Sequence, residues 1–479
     1  MVLVLTVVVL QSISFANYAL TTKTTNIIYG SAPYLTFDGG RTQVTNTAAL
    51  LGISLSDGRR FTPTTNNSSS TNPIVLPVIG QSFNDIGMLV PTNTNSIALS
   101  SLIGTPYNYW GDDDGDGQGV NGVTATGSLN LSIVDKDNNP VSRSEVLTIC
   151  KAPYKLTLSN GEGRLTTRYG VPNESRFSAG NATYYINPKA APVICFARPN
   201  LGSRYNNSTW QGLSAAVWEY GKGFLPQSVT PSSYGLNFPT TGANNLYFDL
   251  DISGVSQVLS WAPVSHGGIT ATMTDSTSTS VRVTLTGPAS SQWTSYDPPD
   301  RVNRPSLPQR FELVGRDSRG NAVVKYGFVL KQWFIVSALS DSWSPIPFVK
   351  ASSWCNKTGY RMPKVRDLTN ASCLSDSRSR GACENYANGL NALTATPSSP
   401  DNTIRRHIGA GFITEWGDMT AYTGANFINE RSGYQSSELT SDGMYVFTAF
   451  GNDGAVGAIT KINIYPDVAL GIGFLCTYP

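Results

Sequence analysis

Leu129, Leu131 and Ile133 alternate with Ser128, Asn130 and Ser132, and Val281, Val283 and Leu285 alternate with Arg282, Thr284 and Thr286. The segment LYFDLDI at 246–252 follows the same rule. An apolar residue at every second position lies on one face of an extended chain, so each run reads as a strand with one buried side. The helical period is nearly absent before residue 340. With 45 Gly and 28 Pro to punctuate the runs, the chain reads as many short strands joined by polar turns. The expected class is mostly β, with tandem Ig-like β-sandwich domains over most of the length.

At 479 residues the chain is too long for one ordinary domain. The polar segment NYWGDDDGDGQGVNG near residue 110 reads as the end of a first β domain, 17–122. Two Ig-like sandwiches are expected at 123–235 and 236–338. A turn pattern recurs, as VDKDNNPV at 134–141 and VGRDSRGNAVV at 314–324, with one residue more in the second turn. The character changes near Trp333-Phe334. Phe348, Ala351 and Cys355 take helical spacing, Gly359 suits a left-handed helix cap, and Pro363 suits the start of a second short helix with Val365 and Leu368. Strands and loops follow, so 339–479 reads as one α+β domain.

Thirty-four Lys and Arg against 32 Asp and Glu leave a net charge of +2, which argues against a nucleic-acid surface. Val2–Leu10 is too short to span a bilayer, and Ser14-Phe15-Ala16 supplies small residues before a cleavage point. Residues 1–16 therefore read as a secretory signal peptide, against the alternative of a buried first strand. No basic residue precedes the run. The six cysteines, Cys150, Cys195, Cys355, Cys373, Cys383 and Cys476, are even in number, and in an exported chain they read as three disulfides with fifteen pairings open.

Trp354-Cys355, Gly359-Tyr360-Arg361-Met362-Pro363, Asp367-Leu368, Tyr434-Gln435-Ser436-Ser437-Glu438 and Phe474-Leu475-Cys476 together resemble a bacterial C-type-lectin-like domain. Gln435 stands where that family usually has Trp. The resemblance implies that the first helix lies beside the last strand, with Cys355 bonded to Cys476 and Cys373 to Cys383. Cys150 and Cys195 are then left for each other. APYLTFDGGRT (32–42), TYYINPKAAPVICFARPNL (183–201), SHGGITATMT (265–274) and RPSLPQRFELVGRDSRGNAVVKYGFVLKQWF (304–334) are similar to the long repeat region of enterobacterial intimin/invasin-like adhesins. This second resemblance implies an exported bacterial surface adhesin, a stalk of β domains with a lectin-like tip. Its partner would be a host or cell-surface protein or glycan. No membrane-barrel domain of that family precedes residue 25 in this sequence. The alternative is a non-adhesive envelope or secreted scaffold subunit that docks a partner protein.

Asp112, Asp114, Asp116 and Gly117 occupy positions 1, 3, 5 and 6 of a calcium loop, where hard oxygen ligands alternate before a sharp turn. Position 12 is Val123, so a full EF-hand is excluded, and a solvated acidic turn is the competing reading. In the last domain Glu415, Asp418, Asn452 and Asp453 are loop groups of the kind that hold sugars through calcium. The tripeptides Glu-Pro-Asn and Gln-Pro-Asp typical of such sites are absent. Receptor anchors are expected instead among the aromatics Tyr422, Phe427 and Tyr434, with Trp416 the one of the set expected to be buried. Two histidines, His266 and His407, and no Gly-x-Ser-x-Gly, HExxH or phosphate loop argue against an enzyme.

Overall fold

The computed structural model describes residues 29–115, 122–200, 211–290, 301–336, 347–374, 381–427, 433–460 and 472–479. The expected signal peptide, 1–16, lies outside them. The chain is mostly β, in several antiparallel sheets, and it divides into two units, 1–190 and 191–479.

In the first unit the strands Val123–Thr126 and Ser128–Val134 are two halves of one bent strand. Partner numbering slips by only one residue across the break: Thr126 faces Arg164, and Leu129 faces Asn160. The next pair keeps its register straight through, with Gly163 opposite Phe177 and Asn160 opposite Gly180. Three long strands, 123–134, 154–167 and 174–187, therefore form a meander that bends once across all three. Inward residues such as Leu129, Leu156, Leu158, Leu165 and Tyr184 are fully buried. The edges are closed by Ser96–Ala98, antiparallel to one side, and Ile74–Val75, parallel to the other. The polar loop 62–73 docks on the meander through Asn66, whose amide donates to the Thr183 carbonyl at 2.8 Å.

The bend is possible because glycines meet there. A methyl group on Gly163 would lie 2.3 Å from the Thr126 carbonyl oxygen, whereas one on Gly161 would meet nothing within 4 Å. Gly163→Ala is expected to cost about 2–4 kcal/mol through this backbone clash. Gly161→Ala is expected to stay within about 0.5 kcal/mol of wild type. Urea unfolding of the two variants checks both, and equal midpoints would remove the packing account of the bend.

The second unit opens with the strand Val193–Arg198, which joins Leu246–Ser253, Ser280–Thr286 and Ile269–Thr274 in a seven-stranded sheet. Against it stands a three-stranded sheet built on Gln309–Arg316 and Ala322–Leu330. Phe311 stacks on Phe328 with centroids 5.1 Å apart, and Phe248 meets Phe328 edge-on at 6.0 Å. That aromatic core continues into the helical part, where Trp416 contacts Phe238 at 5.0 Å. A six-stranded sheet follows in the order Thr241–Ala243, Gln332–Val336, Ile472–Tyr478, Gly433–Leu439, Tyr445–Phe450, Val456–Thr460.

These ladders correct the expected boundaries. Strands from 17–122 and from 123–187 share one sheet, so no division falls at 122, and the unit's connections are those of a meander. The expected 123–235 sandwich is cut at 190, because Val193–Arg198 pairs with Leu246–Ser253. The 338/339 boundary also fails: Trp333 to Val336 pair with Tyr478 to Leu475, which binds the expected sandwich and the expected lectin-like domain into one sheet. Strand pairing between residues tens to more than a hundred positions apart leaves no trace in local period, which is why local pattern placed the cuts wrongly.

The repeated turn is real, and its two copies are equally long. Asp135 Oδ1 accepts from the amides of Asp137 and Asn139, each at 2.9 Å. Asp317 Oδ1 accepts from those of Arg319 at 2.9 Å and Asn321 at 2.8 Å. The fourth residue is left-handed in both, Asn138 at φ 67° and Gly320 at φ 86°. Asp and Asn are the residue types whose side chains close such turns.

Candidate binding surface

The helix Phe348–Thr358 buries Ala351, Trp354, Cys355 and Thr358 and ends on Gly359 at φ 87°. Past that cap, Arg361 donates its backbone amide to Thr477, and its guanidinium meets Asp367 Oδ2 at 2.6 Å. Cys355 is bonded to Cys476, and Cys373 to Cys383, the pairs that the lectin-like resemblance implied. Cys150 and Cys195 are also disulfide-bonded. This frame holds the loops on which receptor anchors were expected.

Two of the three expected anchors are core residues. Tyr434 is 0 % exposed and Tyr422 is 2 % exposed. The Tyr422 hydroxyl donates to the Trp416 carbonyl at 2.8 Å and accepts from the Asn200 amide at 2.9 Å, and burial raises its pKa. Phe427 is half-buried against Phe412, with ring centroids 5.9 Å apart. Tyr434 lies on the strand Gly433–Leu439, whose first four residues are all buried, so alternation does not tell its facing, and Tyr422 follows a short helical turn; the core claimed both. Trp416 is fully buried, as expected. Glu415, Asp418 and Asp453 are buried as well.

Glu415 and Arg406 organise this interior. The Glu415 carboxylate accepts from the amides and hydroxyls of Thr240 and Thr241 and from the Gly409 amide, over 2.6 to 3.1 Å. Burial pushes its pKa up, and those donors pull it part of the way back. Arg406, fully buried, donates to the carbonyls of Glu415 and Asn200 and lies over the Trp218 ring at 4.8 Å. Burial pulls its pKa down to about 10.

A surface with half-buried aromatics lies elsewhere, where the helix Gly381–Leu393 meets the tip of the 440–445 hairpin. The helix breaks at Tyr386, whose φ of −133° and ψ of 15° are non-helical. From that break Tyr386 reaches Tyr445 at 6.0 Å and Phe447 at 6.2 Å between centroids, and its hydroxyl donates to Asp442 Oδ2 at 3.3 Å. Met444 beside them is 61 % exposed. Hydrogen bonds close the tip: the Gly443 amide donates to the Thr440 carbonyl at 2.8 Å, and the Asp442 carboxylate accepts from the Thr440 hydroxyl and from the Met444 amide at 3.0 Å. The Cys373–Cys383 bond ties down the near end of the helix. Backbone held off regular geometry recurs at functional sites. Tyr386 and Asp442 are 56 residues apart, with no motif to link them in the sequence.

In the first unit the acidic segment serves the fold. Asp113 accepts from the Tyr34 hydroxyl at 2.8 Å and from the Gln43 amide at 3.1 Å, and Asp114 accepts from the Ser31 amide at 2.7 Å. Asp112 lies beside them, while Asp116 is outside the described residues. Among the described residues no group of three His, Cys, Asp or Glu is placed to hold a metal ion. Among them, too, no helix is long and apolar enough to cross a membrane.

Fold and surface together define a disulfide-braced, mostly β protein with an α+β C-terminal part. No family model matches the chain, and no curated protein matches it. A solved structure of the Bacteroides ovatus mixed-linkage glucan utilization locus SGBP-B, in complex with a mixed-linkage heptasaccharide, is similar at 12 % identity. The likeness covers 43 % of this chain and 62 % of that one, with a TM-score of 0.14. At that score it carries no weight for function.

Proposed function

We propose that this chain is an exported bacterial surface adhesin whose second unit presents a contact surface to a protein or glycan on a host or neighbouring cell. The observation that carries the reading is the surface on which exposed Asp442 and Met444 flank the half-buried rings of Tyr386 and Tyr445, on a frame held by two disulfides. Aromatics already held in place by partial burial give contact area at little entropic cost. Bonded cysteines fit an oxidising compartment. Asp112, Asp114 and Asp116 stay in this proposal as a calcium loop.

The test uses point variants of the full chain. Ending the chain at 335 would strip Ile472–Tyr478 from the strand Gln332–Val336 and expose the core, so such a truncation would report misfolding. Wild type and the double variant Tyr386→Ala/Tyr445→Ala are compared for binding to epithelial cells, with and without EGTA. The double variant is expected to bind at least about tenfold more weakly, as the loss of two anchor side chains implies. Equal binding by a folded variant would discard the surface. A protein that binds no cells and elutes as an oligomer would favour the scaffold alternative. EGTA sensitivity would support the calcium loop of Asp112, Asp114 and Asp116.

A further inference from the structure

The contact surface has a definite chemistry at Asp442. Its Oδ1 is satisfied within the turn, by the Thr440 hydroxyl and the Met444 amide. Its Oδ2 accepts the Tyr386 hydroxyl at 3.3 Å, long for a hydrogen bond to a carboxylate. The residue is exposed, so this oxygen keeps acceptor capacity toward solvent. Beside it stand two tyrosine rings, tilted 49° to each other at 6.0 Å. Glu384, two residues before Tyr386, is also exposed. The thioether side chain of Met444 adds a soft, exposed apolar edge.

The accessible parts of two half-buried rings and an exposed carboxylate attract the same kind of group. The π-face is electron-rich, the carboxylate is a full negative charge, and both favour a cation with an apolar stem. An ionised carboxylate only accepts hydrogen bonds, whereas sugar hydroxyls present donors and acceptors together. The Thr440 hydroxyl and the Met444 amide hold the Asp442 pKa below the usual carboxylate value, so the charge persists at neutral pH. The protein's net charge is +2, so the local negative character does not come from a generally acidic surface.

We propose that the Tyr386–Tyr445–Asp442 surface binds a lysine or arginine side chain of a partner protein. The inference rests on the adhesin reading for its biological setting and narrows that partner to a basic protein segment.

An alternating Gly-Lys peptide and its neutral Gly-Gln counterpart serve as probes of the full chain, measured by calorimetry at low and physiological salt. The Gly-Lys peptide is expected to bind at least about tenfold more tightly than Gly-Gln, with the gap narrowing at higher salt. Asp442→Asn and Tyr445→Leu are each expected to weaken it about three- to tenfold, while Tyr445→Phe, which keeps the ring face, holds most of the affinity. Glu162→Gln, in the first unit, is the control for diffuse charge and is expected to change nothing. Equal binding of both peptides, or an unaffected Asp442→Asn, would overturn the inference. Cell binding that depends on Tyr386 and Tyr445 without lysine preference would overturn it and leave the adhesin reading standing. Lysine preference in a protein that binds no cells would support the site and remove the adhesin reading.

Discussion

Glu415→Ala is expected to leave the 191–479 unit unfolded or barely folded at 37 °C. The carboxylate collects five donors: the amide and hydroxyl of Thr240, the amide and hydroxyl of Thr241, and the Gly409 amide. All three donor residues flank or form the strand Thr241–Ala243 and the entry to the helix Phe412–Trp416. Each buried donor left without a partner costs about 1–3 kcal/mol. The two hydroxyls can turn elsewhere, but the three amides are fixed by the backbone. Even three such losses total several kcal/mol, against a typical domain stability of about 5–15 kcal/mol.

Glu415→Gln separates charge from shape. The glutamine oxygen can still accept, but its NH₂ meets donors, and a loss of about 2–4 kcal/mol is expected. The pH dependence has a definite sign. Burial raises the folded-state pKa of Glu415. The folded protein then holds the proton over a range where the unfolded chain has released it. The associated stability is present below the unfolded value near 4.5 and is lost as pH rises through the higher folded value. Wild type minus Glu415→Gln, followed by urea unfolding, should therefore shrink as pH rises from mildly acid to neutral. A difference that grows with pH would mean that the donors outweigh burial and that Glu415 is a net stabilising anion.

The second large effect is expected at Cys355–Cys476. Both residues are fully buried, and the bond closes a separation of 121 residues. Loop closure of that length is worth about 4–5 kcal/mol, against about 2–3 kcal/mol for the ten-residue loop of Cys373–Cys383. The Cys355→Ala/Cys476→Ala variant should lose about twice as much stability as Cys373→Ala/Cys383→Ala in urea unfolding. The bond also lies beside the ladder between Gln332–Val336 and Ile472–Tyr478. If its removal leaves the midpoint unchanged, that ladder alone secures the unit.

Sequence period by itself determined the strands, since alternation fixes which face of a strand is apolar. Ser128–Val134 and Ser280–Thr286 bury the residues the pattern assigned. Local stereochemistry likewise determined the helix end at Gly359, because the cap needs a left-handed residue at that position. Only the tertiary structure decided where the units divide, because the pairing of Trp333 with Tyr478 joins residues with no local signal in common. It also decided how deeply each aromatic is buried. Tyr422, Tyr434 and Tyr386 are alike in sequence, yet two fill the core and one reaches a carboxylate 56 residues away. The reason is physical: period tells facing only where one side of an element meets solvent, whereas Gly433 to Ser436 are buried on both faces and Tyr386 sits at a helix break, so their burial depends on which distant surface the chain meets.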